Sequence, residues 1–332
     1  MSKSFRWLTT AVLVIALAAV GAAQPGAASS AEIRLGSNPV WTTPFLLIGR
    51  ERGAFDAPPA QIKWVTFVNP NQVMEAMAAG ELDAGALTPA HYLIAVDKGV
   101  KMTAVALLSG WNRPTSSYMV RVDSGLQTVQ DLRGKTIGVN NYGGVFDIYL
   151  RHVLDKNGMD SKKDVKIVEV PISNIYPALS TKQIDVGAVP ALFVPMADAR
   201  FKGQFKVLFD FRDVPDIKDR PQINQLVLAV TDDYLKKQRP TLKTFLQRYL
   251  DAVRWSYANP AEGAALWAKA SKVELVKALP DPFGPNTDAK IDVPAMQLDI
   301  EIMHRHGYLK KTDFGTRKLV DHSLLDEIIA GR

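Results

Sequence analysis

The sequence predicts an α/β fold in two matching halves, followed by a helical C-terminal stretch. Three observations carry this. Short apolar strand-like runs alternate with helix-like segments from about residue 32 to residue 230, the grammar of sheets flanked by helices. Leu82-Asp83-Ala84-Gly85-Ala86-Leu87 is echoed by Ile184-Asp185-Val186-Gly187-Ala188-Val189, so two units of one kind are expected. Pro240 to Tyr257 then carries the longest apolar stripe at helical spacing, Leu242, Phe245, Leu246, Tyr249, Leu250, Val253 and Tyr257, with a proline at its start suited to a first turn.

Residues 1–31 read as a secretory signal peptide. Lys3 and Arg6 precede an apolar run from Trp7 to Val20, and small residues follow up to Ala31. That run is short of the ~20 residues a membrane span needs. Removing the segment lowers the formal charge from +6 to +4 (38 basic against 34 acidic residues). No basic block points to a nucleic acid. The chain has no cysteine, which excludes a disulfide framework, thiol chemistry and a lipoprotein anchor. An exported protein soluble in a periplasm is expected.

In order, Glu32 to Gly36 alternates as a half-buried strand does. Ser37 to Pro44 is a loop holding Asn38, Trp41 and Thr42, and Thr43 caps a helix with Pro44 in its first turn. Gln61–Val68 is a strand, Asn69–Gly80 a helix, Asp83–Ala86 a very short strand, and Thr88-Pro89 opens a helix. Met102–Leu108 is a strand ending at Ser109-Gly110-Trp111, and Tyr118–Val122 is another.

The stretch around which the rest is arranged is Gly134-Lys135-Thr136-Ile137-Gly138-Val139-Asn140-Asn141-Tyr142-Gly143-Gly144-Val145-Phe146. It reads as strand, Gly-containing turn and helix start. Backbone N–H groups at such a turn can hold an anion; an ordinary strand–helix turn is the alternative. Beyond it come a strand at Val165–Val170, a helix at Ile175–Ser180, a strand at Phe205–Phe211 and an exposed connection at Asp213–Pro221. A strand at Gln225–Val230 and a helix at Tyr234–Lys237 precede the long helix, and residues 261–332 are further helices.

Enzymatic signatures are missing. The sequence contains no Walker loop, no GxGxxG, no GxSxG and no HExxH. His304 and His306 are two apart and would not face each other on a helix; His91, His152 and His322 are isolated. Asp83 and Asp185 are either structural in each half or a carboxylate pair across a cleft. No catalytic residue, metal or cofactor is expected.

The chain resembles periplasmic substrate-binding proteins of ABC transporters, of the sulfonate/nitrate/taurine type. The carriers are Ile33-Arg34-Leu35-Gly36, Ala76 to Gly85, Val129-Gln130-Asp131-Leu132-Arg133-Gly134-Lys135-Thr136-Ile137-Gly138-Val139, Asp185 to Val189, and Ala252 to Pro260. The resemblance implies a two-lobed, type II binding-protein fold, each lobe a mostly parallel sheet flanked by helices, with two crossing hinge segments near Ser117–Val120 and Asn224–Leu228. Lobe one would be 32–117 plus 225–332 and lobe two 118–224. It further implies a ligand pocket of Asn38, Trp41, Thr42, Thr88 and Trp111 facing Asn141, Tyr142, Gly143, Gly144 and Val145. The implied partners are a small anionic solute and an inner-membrane permease, for a monomeric carrier. Where relatives have Trp-(Asp/Glu)-Pro-Tyr, this chain has Val189-Pro190-Ala191-Leu192-Phe193, which favours a flatter or more apolar ligand such as an aromatic carboxylate. The competing reading is an exported enzyme, on a related scaffold, acting on a pyrimidine or vitamin precursor; a sensory binding protein would share the sequence features of a transport one.

Overall fold

The computed structural model describes residues 32–37, 43–67, 70–111, 116–190, 193–213, 215–218, 223–274, 277, 283, 287–315 and 318–331. In chain order the first half has β1 (Ile33–Ser37), α1 (Pro44–Glu51), β2 (Ile62–Thr66), α2 (Pro70–Ala78), β3 (Ala84–Leu87), α3 (Pro89–Asp97) and β4 (Met102–Trp111). The second half has β5 (Ser116–Arg121), β6 (Thr136–Val139), α4 (Val145–Lys156), β7 (Lys166–Glu169), α5 (Ile175–Ser180), β8 (Val186–Pro190), α6 (Phe193–Phe201), β9 (Phe205–Asp210) and α7 (Pro215–Lys218). Then come β10 (Ile223–Thr231), α8 (Asp232–Lys237), α9 (Arg239–Ala258), α10 (Pro260–Ser271), α11 (Val293–Arg305) and α12 (Ser323–Ala330).

The strands form two five-stranded sheets, ordered β2-β1-β3-β10-β4 and β7-β6-β8-β5-β9. In each, four strands run one way and one is opposed: β10 is antiparallel to β3 and β4, and β5 to β8 and β9. Both sheets are therefore mixed, and the odd strand in each lies next to a passage between the sheets. The chain leaves the first sheet after Trp111 and enters the second at Ser116; it returns between Asp210 and Ile223. Ser117–Val120 and Asn224–Leu228, near which the crossings were expected, lie in β5 and β10 directly beside these two passages.

The two halves repeat each other residue by residue. Leu35 pairs with Ala84 and Gly36 with Gly85; Ile137 pairs with Val186 and Gly138 with Gly187. Every member is displaced by the same 102 residues (Leu35 to Ile137, Ala84 to Val186). The repeated aspartates secure the same corner in each half. Asp83 accepts the N–H of Arg34 at 2.8 Å and its guanidinium at 2.7 and 3.0 Å, while Asp185 accepts the N–H of Thr136 at 2.8 Å. Both are structural, at the starts of β1 and β6. The repeated glycines bring helices onto the sheets: a Cβ on Gly85 would lie 2.5 Å from Met77 Sδ, and one on Gly187 2.4 Å from Ile175 Cγ2.

One core lies between the first sheet and α1, α9, α10 and α12. Leu242, Phe245, Leu246, Tyr249, Leu250 and Val253 of α9 are buried there beside Trp267, each contributing about 2 kcal/mol of apolar burial. A second core runs continuously from α2 and α3 across α11 to α4 and the second sheet. Two segments differ from the sequence reading. Phe193–Phe201 is a helix where none was expected. Asp213–Pro221 is not wholly an exposed connection: Pro215–Lys218 is helical and Ile217 is buried, because Ile217 packs into the second core. No helix among the described residues is long and apolar enough to cross a membrane.

Candidate functional site

In open α/β sheets, ligands bind beyond the C-terminal ends of the parallel strands. Here β3 ends at Leu87 and Thr88-Pro89 starts α3; β6 ends at Val139 and residues 140–144 lead into α4. These two helix starts flank a crevice lined by Pro89 and Ala90, by Val145, Ile148 and Tyr149, by Asn224 of β10, and by Asp299 and Met303 of α11. Its free volume is about 10 Å³, room for about one water. Asn224 fastens β10 to the start of α11, donating from Nδ2 to Asp292 O at 2.7 Å and accepting the Asp292 N–H at 3.0 Å.

Thr88 caps α3: its hydroxyl accepts the His91 N–H at 3.3 Å and lies 2.6 Å from His91 Nδ1. His91 is buried, and burial pushes its imidazole down to about 4. Across the crevice, Gly143 has φ +70°, the left-handed region that glycine adopts readily. Gly144 caps α4, and Val145 lines the crevice at the first helical position.

The polar groups of this loop are largely spent within the protein. Tyr142 N–H donates to Glu169 Oε1 at 2.6 Å, and its phenol donates to Ile167 O at 3.0 Å. Gly143 N–H donates to Asp147 Oδ2 at 2.8 Å. The expected free N–H groups at Tyr142 and Gly143 are thus occupied by carboxylates, because an acid in the first turn of α4 and another at the end of β7 reach them. At the start of α4 the N–H groups of Val145, Phe146 and Asp147 have no partner among the described residues, as is usual for a first helical turn. No Lys or Arg is among the described residues lining the crevice.

Of the residues expected from sequence, Thr88, Tyr142, Gly143, Gly144 and Val145 lie at these two helix starts, with half-buried Asn141 donating to Tyr142 O at 3.3 Å. Tyr142 is 49% exposed and is not among the residues lining the crevice. Asn38, Trp41 and Thr42 lie outside the described residues, and of Trp111 only the backbone, at the end of β4, is described. Sequence reading missed Asp147, Glu169, Tyr149, Asn224, Asp299, Met303 and Tyr308. An acid three residues into a helix is a known capping signal, so Asp147 had a local cue. The others are brought in from distant segments and had none.

Among the described residues, two further histidines each pair with a single acid. His152 Nε2 lies 3.1 Å from Asp216 and His306 Nε2 3.0 Å from Asp155, in separate places. Among the described residues no group of three His, Cys, Asp or Glu could hold a metal.

A family model described as NMT1/THI5 like matches residues 44–263, about two thirds of the chain, including both helix starts. This chain belongs to the NMT1/THI5-like family. A Brucella abortus protein named as a binding protein is 24% identical over 234 residues, 70% of this chain and 69% of its own length. A Haemophilus influenzae protein named for thiamine biosynthesis is 22% identical over 273 residues, 80% of this chain and 83% of that one. The fold is that of the Escherichia coli periplasmic aliphatic sulphonate binding protein, with TM-score 0.70 and 18% identity over 85% of this chain and 89% of that one. The NMT1/THI5-like chain thus shares the two-sheet architecture of ABC-transporter binding proteins, as its motifs implied.

Proposed function

We propose that this protein captures a small solute between its two halves and delivers it to the permease of an ABC importer. The observation carrying this reading is the pair of helix starts, α3 and α4, at the C-terminal ends of β3 and β6, which flank a crevice that as it stands has room for about one water. The binding-protein fold supports it. The two closing bodies would be 32–117 plus 225–332 and 118–224. The carrier would work as a periplasmic monomer after loss of residues 1–31. The pocket would comprise Thr88 and Asn141 to Val145, completed by Asn38, Trp41, Thr42 and Trp111.

The cargo we infer is an organic anion with an apolar body, of the aromatic carboxylate class, ahead of nitrate, taurine or alkane sulfonates. With the N–H groups of Tyr142 and Gly143 already taken, the start of α4 offers a carboxylate the N–H groups of Val145, Phe146 and Asp147. The faces beside it, Pro89, Ala90, Ile148 and Met303, are apolar and suit a ring better than a strongly hydrated ion.

The test is thermal unfolding of residues 32–332 with nitrate, bicarbonate, taurine, alkane sulfonates, benzoates and phthalates. A cargo at ~100 times its Kd stabilises by about 2.7 kcal/mol, a shift of several degrees. Benzoate- or phthalate-type acids are expected to give that shift. No shift with any of these anions overturns the anionic reading. Replacing Trp41 by Ala is expected to weaken binding without altering the melting temperature of the free protein; unchanged affinity removes Trp41 from the pocket.

A second reading follows from the relative named for thiamine biosynthesis: a pyrimidine or vitamin precursor as substrate of an enzyme. Incubation with aminopyrimidines, followed by mass spectrometry, separates the two. A new product would establish catalysis, and a melting shift without product would establish binding.

A further inference from the structure

The carboxylate of Asp147 is fully buried and is held by donors from three places. One is the Gly143 N–H of the loop, at 2.8 Å. The second is the guanidinium of Arg151, one turn along α4, at 2.9 Å. The third is the phenol of Tyr308, which comes from the C-terminal segment after α11 and donates to the same oxygen as Gly143. Arg151 lies 5.8 Å from the Tyr308 ring centre and donates to Ser161 at 3.1 Å. The ring also closes over the loop: a Cβ on Gly143 would sit 3.4 Å from two of its carbons and 3.6 Å from Ile94 of α3. The loop is thus gripped from α3, from α4 and from the C-terminal segment at one residue.

We propose that Asp147 and Tyr308 form a clasp that sets the shape of the Asn140–Gly144 loop and makes it depend on the seating of the C-terminal segment against α4. Asp147 and Tyr308 are positioning residues: they act on the crevice through the Gly143 backbone. A buried carboxylate needs its donors. When the Tyr308 phenol is withdrawn, the Asp147 carboxylate loses one of them, and the Gly143 turn loses the ring that packs on it. The glycine is required here because the clasp holds the backbone in the left-handed region with a ring directly above it. The consequence for cargo rests on the solute-binding reading; the clasp itself does not.

Hydrogen exchange on the full mature chain, without cargo, tests the clasp. Tyr308→Phe keeps the ring and removes only the hydroxyl. It is expected to speed exchange in peptides spanning 140–146 by about tenfold, the worth of a hydrogen bond to a charged group. Peptides confined to β6 and to the C-terminal end of α4 should keep their rates. Asp147→Asn, which keeps the shape and removes the charge, should act on the same peptides. Tyr149→Phe removes a different bond between α4 and α11, the one to Asp299 at 2.5 Å, and should leave the loop unchanged. Unchanged loop exchange in Tyr308→Phe, an even acceleration along the whole chain, or an equal loop effect from Tyr149→Phe would each overturn the proposal. The exchange is read without cargo, so a failed anion panel would leave it standing.

Discussion

At the scale of single residues, Gly143 and His91 report the two sides of the crevice. Gly143→Val puts a β-branched side chain at φ +70° beneath the Tyr308 ring. It is expected to cost about 1–3 kcal/mol of stability, measured by urea unfolding, and to abolish cargo binding. His91 is held neutral by burial with its imidazole down at about 4, against about 6.5 in the unfolded chain. Between those values the unfolded state binds more protons, so stability is lost as pH falls from about 6.5 towards about 4, by about 3 kcal/mol for this residue. His91→Gln should flatten that part of the curve, as read from urea midpoints across the same pH range. A wild-type slope retained in the variant would assign the acid lability to other histidines.

At the scale of elements, the matching corners and glycines of the two halves make a paired experiment. Gly85 and Gly187 occupy equivalent register positions, and at each a Cβ would meet a β-branched side chain. On Gly85 it would lie 2.8 Å from Val73 Cγ1 as well as 2.5 Å from Met77 Sδ, and on Gly187 2.4 Å from Ile175 Cγ2. The Met77 thioether can move aside, but Val73 and Ile175 are stiff. Gly85→Ala and Gly187→Ala should therefore each cost about 1–3 kcal/mol, compared by melting temperature. A loss at one position only would mean that the helix facing the other glycine shifts to make room.

At the scale of the whole molecule, the second core and the clasp tie α11 and its following loop to α3 on one side and α4 on the other. Burial also pushes the imidazoles of His152, His306 and His322 down. All act in the same sense as His91, so the protein as a whole is expected to lose stability on acidification below about pH 6.5. Thermal unfolding across pH checks it; a melting temperature rising below that pH would contradict the burial of these groups in solution.

The alternation of short apolar runs with helical stripes determined the class of fold, and the Asp-x-Gly-Ala echo determined its repetition, because local periodicity follows directly from which faces must be buried. The amphipathic stripe of α9 was readable for the same reason. So was the glycine turn before α4, whose residues tolerate the backbone angles the structure uses there. Tertiary structure alone decided the rest. The antiparallel direction of β5 and β10 depends on where the chain crosses between sheets, which strand composition does not encode. Ile217 is buried despite its charged, proline-rich surroundings because a distant core reaches it. At the candidate site, Gly143 and Gly144 were visible as a turn, but Glu169, Tyr308 and Asp299 come from segments 25 or more residues away. Whether a backbone N–H is open to a ligand or already answered by a carboxylate is settled by such long-range contacts, and a linear pattern carries no record of them.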